Sequence, residues 1–305
     1  MKALVYDPDA AHGLHFSEVA EPRPSPSQAL IGVEAAALNF GELAFAARQL
    51  RPGAVFGKDA AGVVLEAAAD GSGPAAGARV TSFAGVGGWA ERRAVDTRDV
   101  AVVPQAVDFG VAAAIPAAGA TALQAVRRLG SVLGRRVLVT GASGGVGRFA
   151  VQLAARSGAE VVAAVGRPER GEGLRELGAA EVVVGSASPE KPVFGVLDNV
   201  GGAVLGEAMG RLEDGGIALS IGWASREPNV IDFESLRMLG GRRRLEPFSV
   251  SGPFGEDTAY LLGLAAKEEL DAQIGWRGSW LEAADAVEAL LGRRVLGKAV
   301  LEMRS

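Results

Sequence analysis

The feature that most constrains this chain is a glycine-rich turn between two apolar segments. Residues 137–140 read Val-Leu-Val-Thr, residues 141–147 read Gly-Ala-Ser-Gly-Gly-Val-Gly, and an apolar segment with helical spacing follows. The pattern predicts a buried β-strand that turns through glycines into an α-helix. A second apolar run at 160–165, beyond the helix-ending Gly158, predicts another strand. The segment 137–165 is therefore expected to form a β-α-β unit.

A turn of this kind is suited to binding a diphosphate. Glycines let an anion reach backbone N–H groups with no Cβ in the way, and the new helix directs its free N–H groups and positive dipole end at that anion. We expect dinucleotide contacts from Ser143, Gly144, Gly145, Val146 and Gly147. A tight turn that binds nothing is the alternative.

The residues after the second strand indicate which dinucleotide would bind. An acidic residue about twenty positions past the glycines commonly holds the ribose 2′-hydroxyl of NAD, but this chain reads Gly-Arg-Pro-Glu-Arg at 166–170. The guanidinium of Arg167 offers a planar fork of donors that suits a 2′-phosphate. The sequence therefore favours NADPH over NADH. The alternative is that Arg167 and Arg170 form a solvated helix start.

The composition argues against several kinds of site and partner. The chain has no cysteine and two histidines, His12 and His15, in a predicted turn. A zinc site needs several protein ligands, commonly Cys or His, so we expect no metal, no disulfide and no cysteine nucleophile. A net charge of -5 argues against a nucleic-acid partner.

The apolar segments do not predict a membrane protein. The amino terminus lacks a long apolar region, and the uncharged stretch 109–126 contains Pro, Gly, Thr and Gln. That composition favours a buried helix over a membrane span. We therefore expect a cytoplasmic protein without a membrane partner.

The periodicity of the chain changes near residue 110. Before it, short runs bounded by Pro, Gly and Asp predict a barrel-like module with strands at 2–6, 29–35, 62–67, 79–83 and 89–95. After it, strands at 136–140, 160–165, 181–184, 195–199 and 216–221 alternate with helices, which predicts a doubly wound parallel sheet. Helices at 256–268 and 281–291 and a strand at 298–303 are expected to pack back onto the first module. The predicted fold class is α/β.

Several segments, in this order along the chain, resemble the zinc-free medium-chain dehydrogenase/reductase superfamily, and most closely its NADPH:quinone oxidoreductases. They are the glycine turn, Ala37-Leu38-Asn39-Phe40, Gly57-Lys58-Asp59-Ala60-Ala61-Gly62, Gly87-Gly88-Trp89-Ala90-Glu91, Asp198-Asn199-Val200-Gly201-Gly202 and Gly297-Lys298-Ala299-Val300-Leu301. The resemblance implies a GroES-like β-barrel domain at 1–110 and 268–305, a Rossmann domain at 111–267 and a substrate cleft at their junction. It also implies a homodimer, with the strand after Phe248 as an interface edge.

The resemblance assigns roles to individual residues. It implies that Asn39 positions the nicotinamide ribose and the substrate, and that Thr121 lies near the nicotinamide. From the residues alone, Asn39 with Glu42 predicts a capping box on a helix over 40–49, and Thr121 a hydroxyl bonded to its own helix. Lys58 and Asp59 are expected to form a structural pair. The remaining expected cofactor contacts are Asn199, Val200, Gly201, Ser220, Ile221, Gly222, Phe248, Val250 and Lys298.

The absence of zinc ligands bears on the reaction. Reduction of a carbonyl to an alcohol needs a Lewis acid that this chain lacks the ligands to bind, whereas a quinone or an activated C=C bond already has an electrophilic carbon. The sequence therefore predicts an NADPH-dependent quinone or enone reductase acting on a small molecule, with the proton left to solvent. The alternatives are an enoyl-thioester reductase of polyketide or fatty-acid tailoring and a non-catalytic NADPH-binding redox sensor. Candidate pocket walls are Phe40, Phe45, Phe56 and Trp89.

Overall fold

A computed structural model describes residues 1–185 and 191–303. The chain divides into two compact units, one made of Met1–Ala120 with Ser251–Ser305 and the other of Thr121–Val250. The second unit lies inside the range 111–267 that the resemblance implies for a Rossmann domain. Among the described residues, the first unit contains a seven-stranded sheet and a two-stranded sheet and the second unit a six-stranded sheet, and each unit is described separately below.

The first unit begins with short strands and broken helices. Its strands up to residue 102 are β1 (Lys2–Tyr6), β2 (Leu14–Glu18), β3 (Gln28–Leu38), β4 (Asp59–Glu66), β5 (Arg79–Phe83), β6 (Arg92–Asp96) and β7 (Val100–Val102). The helices in the part of this unit before residue 121 are α1 (Phe40–Ala44), α2 (Ala46–Gln49), α3 (Phe109–Ala114) and the start of α4 (Pro116–Leu129), which continues into the second unit. The single helix expected over 40–49 is divided at Phe45, whose ψ of 20° leaves the helical range.

Among the residues described, three α-helices and a short 3-10 helix (Pro168–Gly171) lie between the strands of the second unit. In chain order its elements are β8 (Arg136–Thr140), α5 (Gly145–Arg156), β9 (Glu160–Val165), β10 (Ala179–Val184), β11 (Val193–Asp198), α6 (Gly202–Met209), β12 (Leu212–Ser220), α7 (Phe233–Met238) and β13 (Arg244–Pro247). The strand order is β10-β9-β8-β11-β12-β13, and every pairing is parallel. The expected doubly wound parallel sheet is confirmed. The order reverses between β8 and β11, which is where such sheets bind ligands at their carboxyl ends.

The carboxyl-terminal segment returns to the first unit. It contains α8 (Gly255–Ala265), β14 (Ile274–Ser279), α9 (Ala283–Leu291) and β15 (Lys298–Glu302). Strand β15 pairs antiparallel with β3, with Ala299 opposite Leu38, and parallel with β14. The sheet runs β14-β15-β3-β4-β5-β7, and β6 also pairs with β3. The predicted packing of the tail onto the first module is therefore present.

The core of the first unit is built around stacked aromatic rings. Phe56 and Trp89 have no exposed surface, and their ring centroids lie 5.2 Å apart at 24°. Tyr6 meets Phe56 edge-on at 6.0 Å. Since an aromatic side chain with no exposed surface packs against protein on all sides, Phe56 and Trp89 are core residues in this structure, in contrast to the pocket walls expected from the sequence.

Candidate functional site

The glycine turn of the second unit forms an open helix start. Gly144 caps α5 with an extended backbone and no side-chain bond, and the first bond within the helix runs from the Arg148 N–H to the Gly144 carbonyl at 2.9 Å. The N–H groups of residues 145–147 therefore precede the helical ladder, at the positive end of the helix dipole. This arrangement is suited to binding an anion.

Glycine is required at two positions of this turn. Gly141 has φ +59°, which side chains rarely adopt, and a Cβ on Gly147 would lie 2.4 Å from the Gly141 carbonyl oxygen. A Cβ on Gly144 would meet only that same oxygen, at 3.4 Å. The turn thus packs closely against the protein at Gly147 and carries no side chain at Gly144. The diphosphate of a dinucleotide needs such an open position to reach the backbone N–H groups.

Two arginines follow β9, and they differ in their surroundings. Arg167 precedes a short 3-10 helix (Pro168–Gly171), and its side chain is 60% exposed with an ion pair to Glu169 at 3.2 Å. Arg170, inside that helix, donates from Nε to Ser143 Oγ at 2.9 Å. The structure therefore brings Arg170 to the glycine turn. Sequence reasoning singled out Arg167, although Pro168 at the first helical position indicated that Arg170 would lie inside the helix that follows.

The ends of β8 and β11 are tied together at the point where the strand order reverses. Asp198 is fully buried and accepts a hydrogen bond from Thr140 Oγ1 at 2.5 Å and one from the Gly201 N–H at 2.9 Å. The Asn199 side chain donates from Nδ2 to the Thr140 carbonyl at 2.9 Å. Burial raises the pKa of Asp198, while the hydrogen bonds from Thr140 and Gly201 oppose the rise. Sequence reasoning missed Asp198 and Thr140 as supports of this edge.

The next strand ends lie beside this one. The N–H groups of Ile221 and Gly222 donate to the Asp198 carbonyl at 2.8 and 3.0 Å, and a Cβ on Gly222 would lie 2.6 Å from the Asn199 carbonyl oxygen. One position along, the Phe248 N–H donates to the Ser220 carbonyl at 2.9 Å. The structure therefore brings together the expected contacts on three successive strand ends, which are Asn199, Val200, Gly201, Ser220, Ile221, Gly222 and Phe248. Thr121 and Val250 lie at the two limits of the unit, both half-buried.

The first unit holds a separate network of polar side chains, in which the half-buried Asn39 contacts two buried charged residues. Asn39 donates from Nδ2 to Asp59 Oδ2 at 2.8 Å, and Lys298 donates from Nζ to Asn39 Oδ1 at 2.8 Å and to the Leu38 carbonyl at 3.0 Å. Asp59 is 0% and Lys298 2% exposed. Burial lowers the pKa of Lys298, and the nearby charge of Asp59 opposes that shift. The Lys298 ammonium is thus turned into the protein.

Glu42 belongs to the same buried region. Its Oε1 accepts a hydrogen bond from the Gly57 N–H at 2.7 Å, while Oε2 has no hydrogen-bond partner among the described residues. Burial, followed by the negative charge of Asp59, raises the pKa of Glu42 to about 7. The expected capping box is wrong, because the Asn39 side chain makes no cap bond and both side chains are engaged by tertiary partners.

The segment before β4 is held by a buried arginine. Arg93 is 2% exposed and donates from Nη2 to the Lys58 carbonyl at 2.8 Å, and burial lowers the pKa of Arg93 to about 10. The Lys58 side chain contacts Gln49 Oε1 at 3.4 Å, and the cation that approaches Asp59 is Lys298, at 3.7 Å. The expected Lys58–Asp59 pair is therefore wrong, and Asp59 pairs with Lys298 instead. Neighbouring residues of an extended chain point to opposite sides, which separates the Lys58 and Asp59 side chains.

The other two aromatic residues expected in a pocket lie near the surface of the first unit. Phe40 and Phe45 are half-buried. The Arg293 guanidinium lies 4.8 Å from the ring centroid of Phe40, and that of Arg48 lies 6.0 Å from that of Phe45. These two rings, unlike Phe56 and Trp89, keep surface that a ligand can contact.

Two further properties concern metals and membranes. Within residues 1–185 and 191–303, no group of three or more His, Cys, Asp or Glu is arranged to hold a metal ion. None of the helices in those ranges combines the length and the apolar character needed to cross a membrane.

Two family models match this chain. An alcohol dehydrogenase GroES-like domain matches residues 25–105, and a zinc-binding dehydrogenase domain matches residues 145–267. Quinone oxidoreductase-like protein 2 of Bos taurus is 28% identical over 94% of this chain and 88% of its own length. An acrylyl-CoA reductase of Ruegeria pomeroyi is 34% identical over 53% of this chain, a match that spans 54% of the reductase.

Solved structures extend the similarity to the whole chain. A mycobacterial protein in complex with NADPH superposes with a TM-score of 0.87 at 26% identity, covering 99% of both chains. That protein therefore shares the fold of nearly the whole chain.

Proposed function

We propose that this chain, which belongs to the quinone oxidoreductase-like proteins of the medium-chain dehydrogenase/reductase superfamily, uses NADPH to reduce a quinone or an activated C=C bond. We propose that this reaction does not require zinc. The observation that carries the proposal is the open helix start at 144–147 with Arg170 hydrogen-bonded to Ser143 beside it. A cation at that place favours a dinucleotide with an additional phosphate.

The second unit supplies the proposed cofactor contacts. The N–H groups of residues 145–147 bind the diphosphate, while Arg170 and Arg167 bind the 2′-phosphate. The strand-end residues around Asn199 and Gly222 contact the nicotinamide half of the cofactor. NADPH, when bound, supplies a hydride from nicotinamide C4. The similar protein that was solved with NADPH supports this assignment.

We propose that the protein binds no zinc because it has few of the side chains that bind this metal. The sequence has no cysteine and only His12 and His15, and neither lies in the buried network of Asn39, Asp59 and Lys298. A substrate that carries its own electrophilic carbon fits such a protein. Tyr6 lies in the aromatic core, which supports solvent as the proton source.

The substrate is proposed to contact the first unit at Asn39, Phe40 and Phe45. Asn39, by the resemblance of its segment to the superfamily, contacts the nicotinamide ribose and the substrate. The half-buried rings of Phe40 and Phe45 offer apolar surface to a quinone or enone. An enoyl thioester is the second candidate, because the acrylyl-CoA reductase is 34% identical over the segment it shares with this chain.

A spectrophotometric screen tests the proposal. Oxidation of NADPH is followed at its absorbance maximum with 1,4-benzoquinone, 9,10-phenanthrenequinone, simple enones and crotonyl-CoA, with NADH in parallel. We expect turnover with quinones or enones, more slowly with NADH, and unchanged by EDTA. Turnover with crotonyl-CoA alone would support the second candidate. Loss of turnover on EDTA treatment, restored by zinc, would contradict the zinc-free mechanism.

The strand that the resemblance implies after Phe248 is not present, since β13 ends at Pro247 and residues 248–254 form no strand. We also propose a homodimer, formed instead at the β13 edge of the second unit. Strand β13 ends the strand order, and α7, which precedes it in the sequence, exposes Phe233 at 73% and Met238 at 83%. Exposed apolar side chains and an open sheet edge are each typical of a protein interface. Light scattering is expected to show a dimer that Phe233→Glu with Met238→Glu dissociates. The matched control is Leu281→Glu, at the 55% exposed Leu281 of the first unit.

A further inference from the structure

We propose that Lys298 and Asp59 are positioning residues that hold the Asn39 side-chain amide in a single orientation. The inference rests on the proposed function, in which Asn39 contacts the nicotinamide ribose and the substrate. It gives Lys298 a different role from the direct cofactor contact expected from the sequence, because Lys298 acts through Asn39.

The sheet brings the three side chains together. Asn39 directly follows β3, Asp59 begins β4 and Lys298 begins β15. Strand β4 pairs with one edge of β3, where Asp59 lies opposite Ala37, and β15 pairs with the other edge, where Ala299 lies opposite Leu38. Asn39 therefore has a partner strand of β3 on each side. Residues far apart in the sequence therefore meet at one end of three adjacent strands.

The chemistry of the two flanking groups determines how the amide is turned. An ammonium only donates hydrogen bonds and a carboxylate only accepts them. With Oδ1 towards Lys298 at 2.8 Å and Nδ2 towards Asp59 at 2.8 Å, both contacts are favourable. Rotating the Asn39 amide by half a turn would place its NH₂ against the ammonium and its oxygen against the carboxylate. The network therefore selects one of the two orientations.

Both flanking groups are themselves held. The second Asp59 oxygen, Oδ1, accepts a hydrogen bond from the Ala117 N–H at 2.8 Å, and Lys298 Nζ is anchored on the Leu38 carbonyl at 3.0 Å. Asp59 is 0% and Lys298 2% exposed, so both partners of the half-buried Asn39 amide are shielded from water. Glu42, Lys58 and Arg93 are the other ionisable groups near this network. The burial of Lys298 also argues against its direct contact with a cofactor.

A double-mutant cycle distinguishes positioning from a general structural role. We expect Lys298→Met to lower kcat by about tenfold to a hundredfold, as misplacement of a catalytic contact by about 1 Å can. Asn39→Ala is expected to lower it to a similar degree, and the double variant no further, because Lys298 then has no amide to orient. Lys298→Arg, which keeps the cation, is expected to recover part of the activity. The control Lys267→Met, at an exposed position of the same unit, is expected to behave as wild type.

A second readout does not depend on turnover. In ¹⁵N-labelled protein, the Asn39 side-chain NH₂ signal, identified by its loss in Asn39→Ala, is expected downfield because one proton is bonded to a carboxylate. Lys298→Met is expected to move that signal towards the position of an exposed asparagine. An unchanged signal in folded Lys298→Met, or losses of kcat that multiply in the double variant, would overturn the inference. If the wild type neither binds NADPH nor turns over, the proposed function fails, while the NMR signal still decides the inference.

Discussion

The buried carboxyl of Glu42 makes the stability of the first unit depend on pH in a predictable direction. Its Oε1 accepts the Gly57 N–H at 2.7 Å, and burial together with the charge of Asp59 raises the pKa of Glu42 from 4.5 to about 7. Glu42→Gln keeps the shape and the acceptor of the protonated side chain and removes its titration. The variant therefore isolates the free energy of ionising Glu42 in the folded protein.

The sign of the effect follows from where each state binds its proton. Below pH 4.5 the Glu42 carboxyl is protonated in both states, and its contribution to stability is fully present. Between pH 4.5 and 7 the unfolded chain loses the proton while the folded chain keeps it, so stability falls. Above pH 7 both states are ionised. Since one pKa unit corresponds to about 1.4 kcal/mol, the loss levels off at about 3 kcal/mol.

Urea unfolding followed by tryptophan fluorescence at pH 5 and pH 8.5 measures this effect. Glu42→Gln is expected to differ from wild type by less than about 1 kcal/mol at pH 5 and to be more stable by about 3 kcal/mol at pH 8.5. The control Glu176→Gln, at an exposed position, is expected to show no such pH-dependent difference. A difference that is the same at both pH values, or a variant less stable at pH 8.5, would refute the reasoning.

Three other predictions concern the second unit. Arg170→Ala is expected to raise the Kd for NADPH by about tenfold or more and to change that for NADH little, because a charge-assisted bond to phosphate is lost; isothermal titration measures both constants, with Arg156→Ala as an exposed control. Gly147→Ala would place its Cβ 2.4 Å from the Gly141 carbonyl oxygen and is expected to abolish binding of both dinucleotides. Gly144→Ala would place its Cβ 3.4 Å from that oxygen, and we expect circular dichroism to show that this variant remains folded. Asp198→Ala is expected to lower the melting temperature of the second unit by several degrees, because the bonds from Thr140 and Gly201 lose their acceptor, and an unchanged melting curve would contradict the role given to Asp198.

The sequence was most informative where a run of residues was compatible with only one local structure. The apolar runs 136–140 and 160–165 and the turn between them form the predicted strands and helix start, because full burial on both faces of a parallel sheet produces continuous apolar runs. The strand 79–83 was also predicted with the observed bounds. Short or polar strands such as Arg244–Pro247 and Ile274–Ser279 were missed, because they contain no alternating apolar pattern to detect.

The first unit shows why the site was harder to predict than the fold. Asn39 and Glu42 have the spacing of a capping box, but their partners Asp59, Gly57 and Lys298 come from other strands. Local spacing cannot reveal a contact between residues separated by as many as 259 positions. Similarly, Phe56 and Trp89 look like candidate pocket residues in the sequence, and only the three-dimensional packing shows that they stack in the core.

The measurement that tests the account most directly is a paired titration of the purified protein with NADPH and NADH. It addresses the claim that the open helix start at 144–147, with Arg170 hydrogen-bonded beside it, binds a phosphorylated dinucleotide. We predict saturable binding of one NADPH per chain, at least about tenfold tighter than NADH, and a preference that disappears in Arg170→Ala. Absence of binding to either dinucleotide, or tighter binding of NADH, would contradict the account.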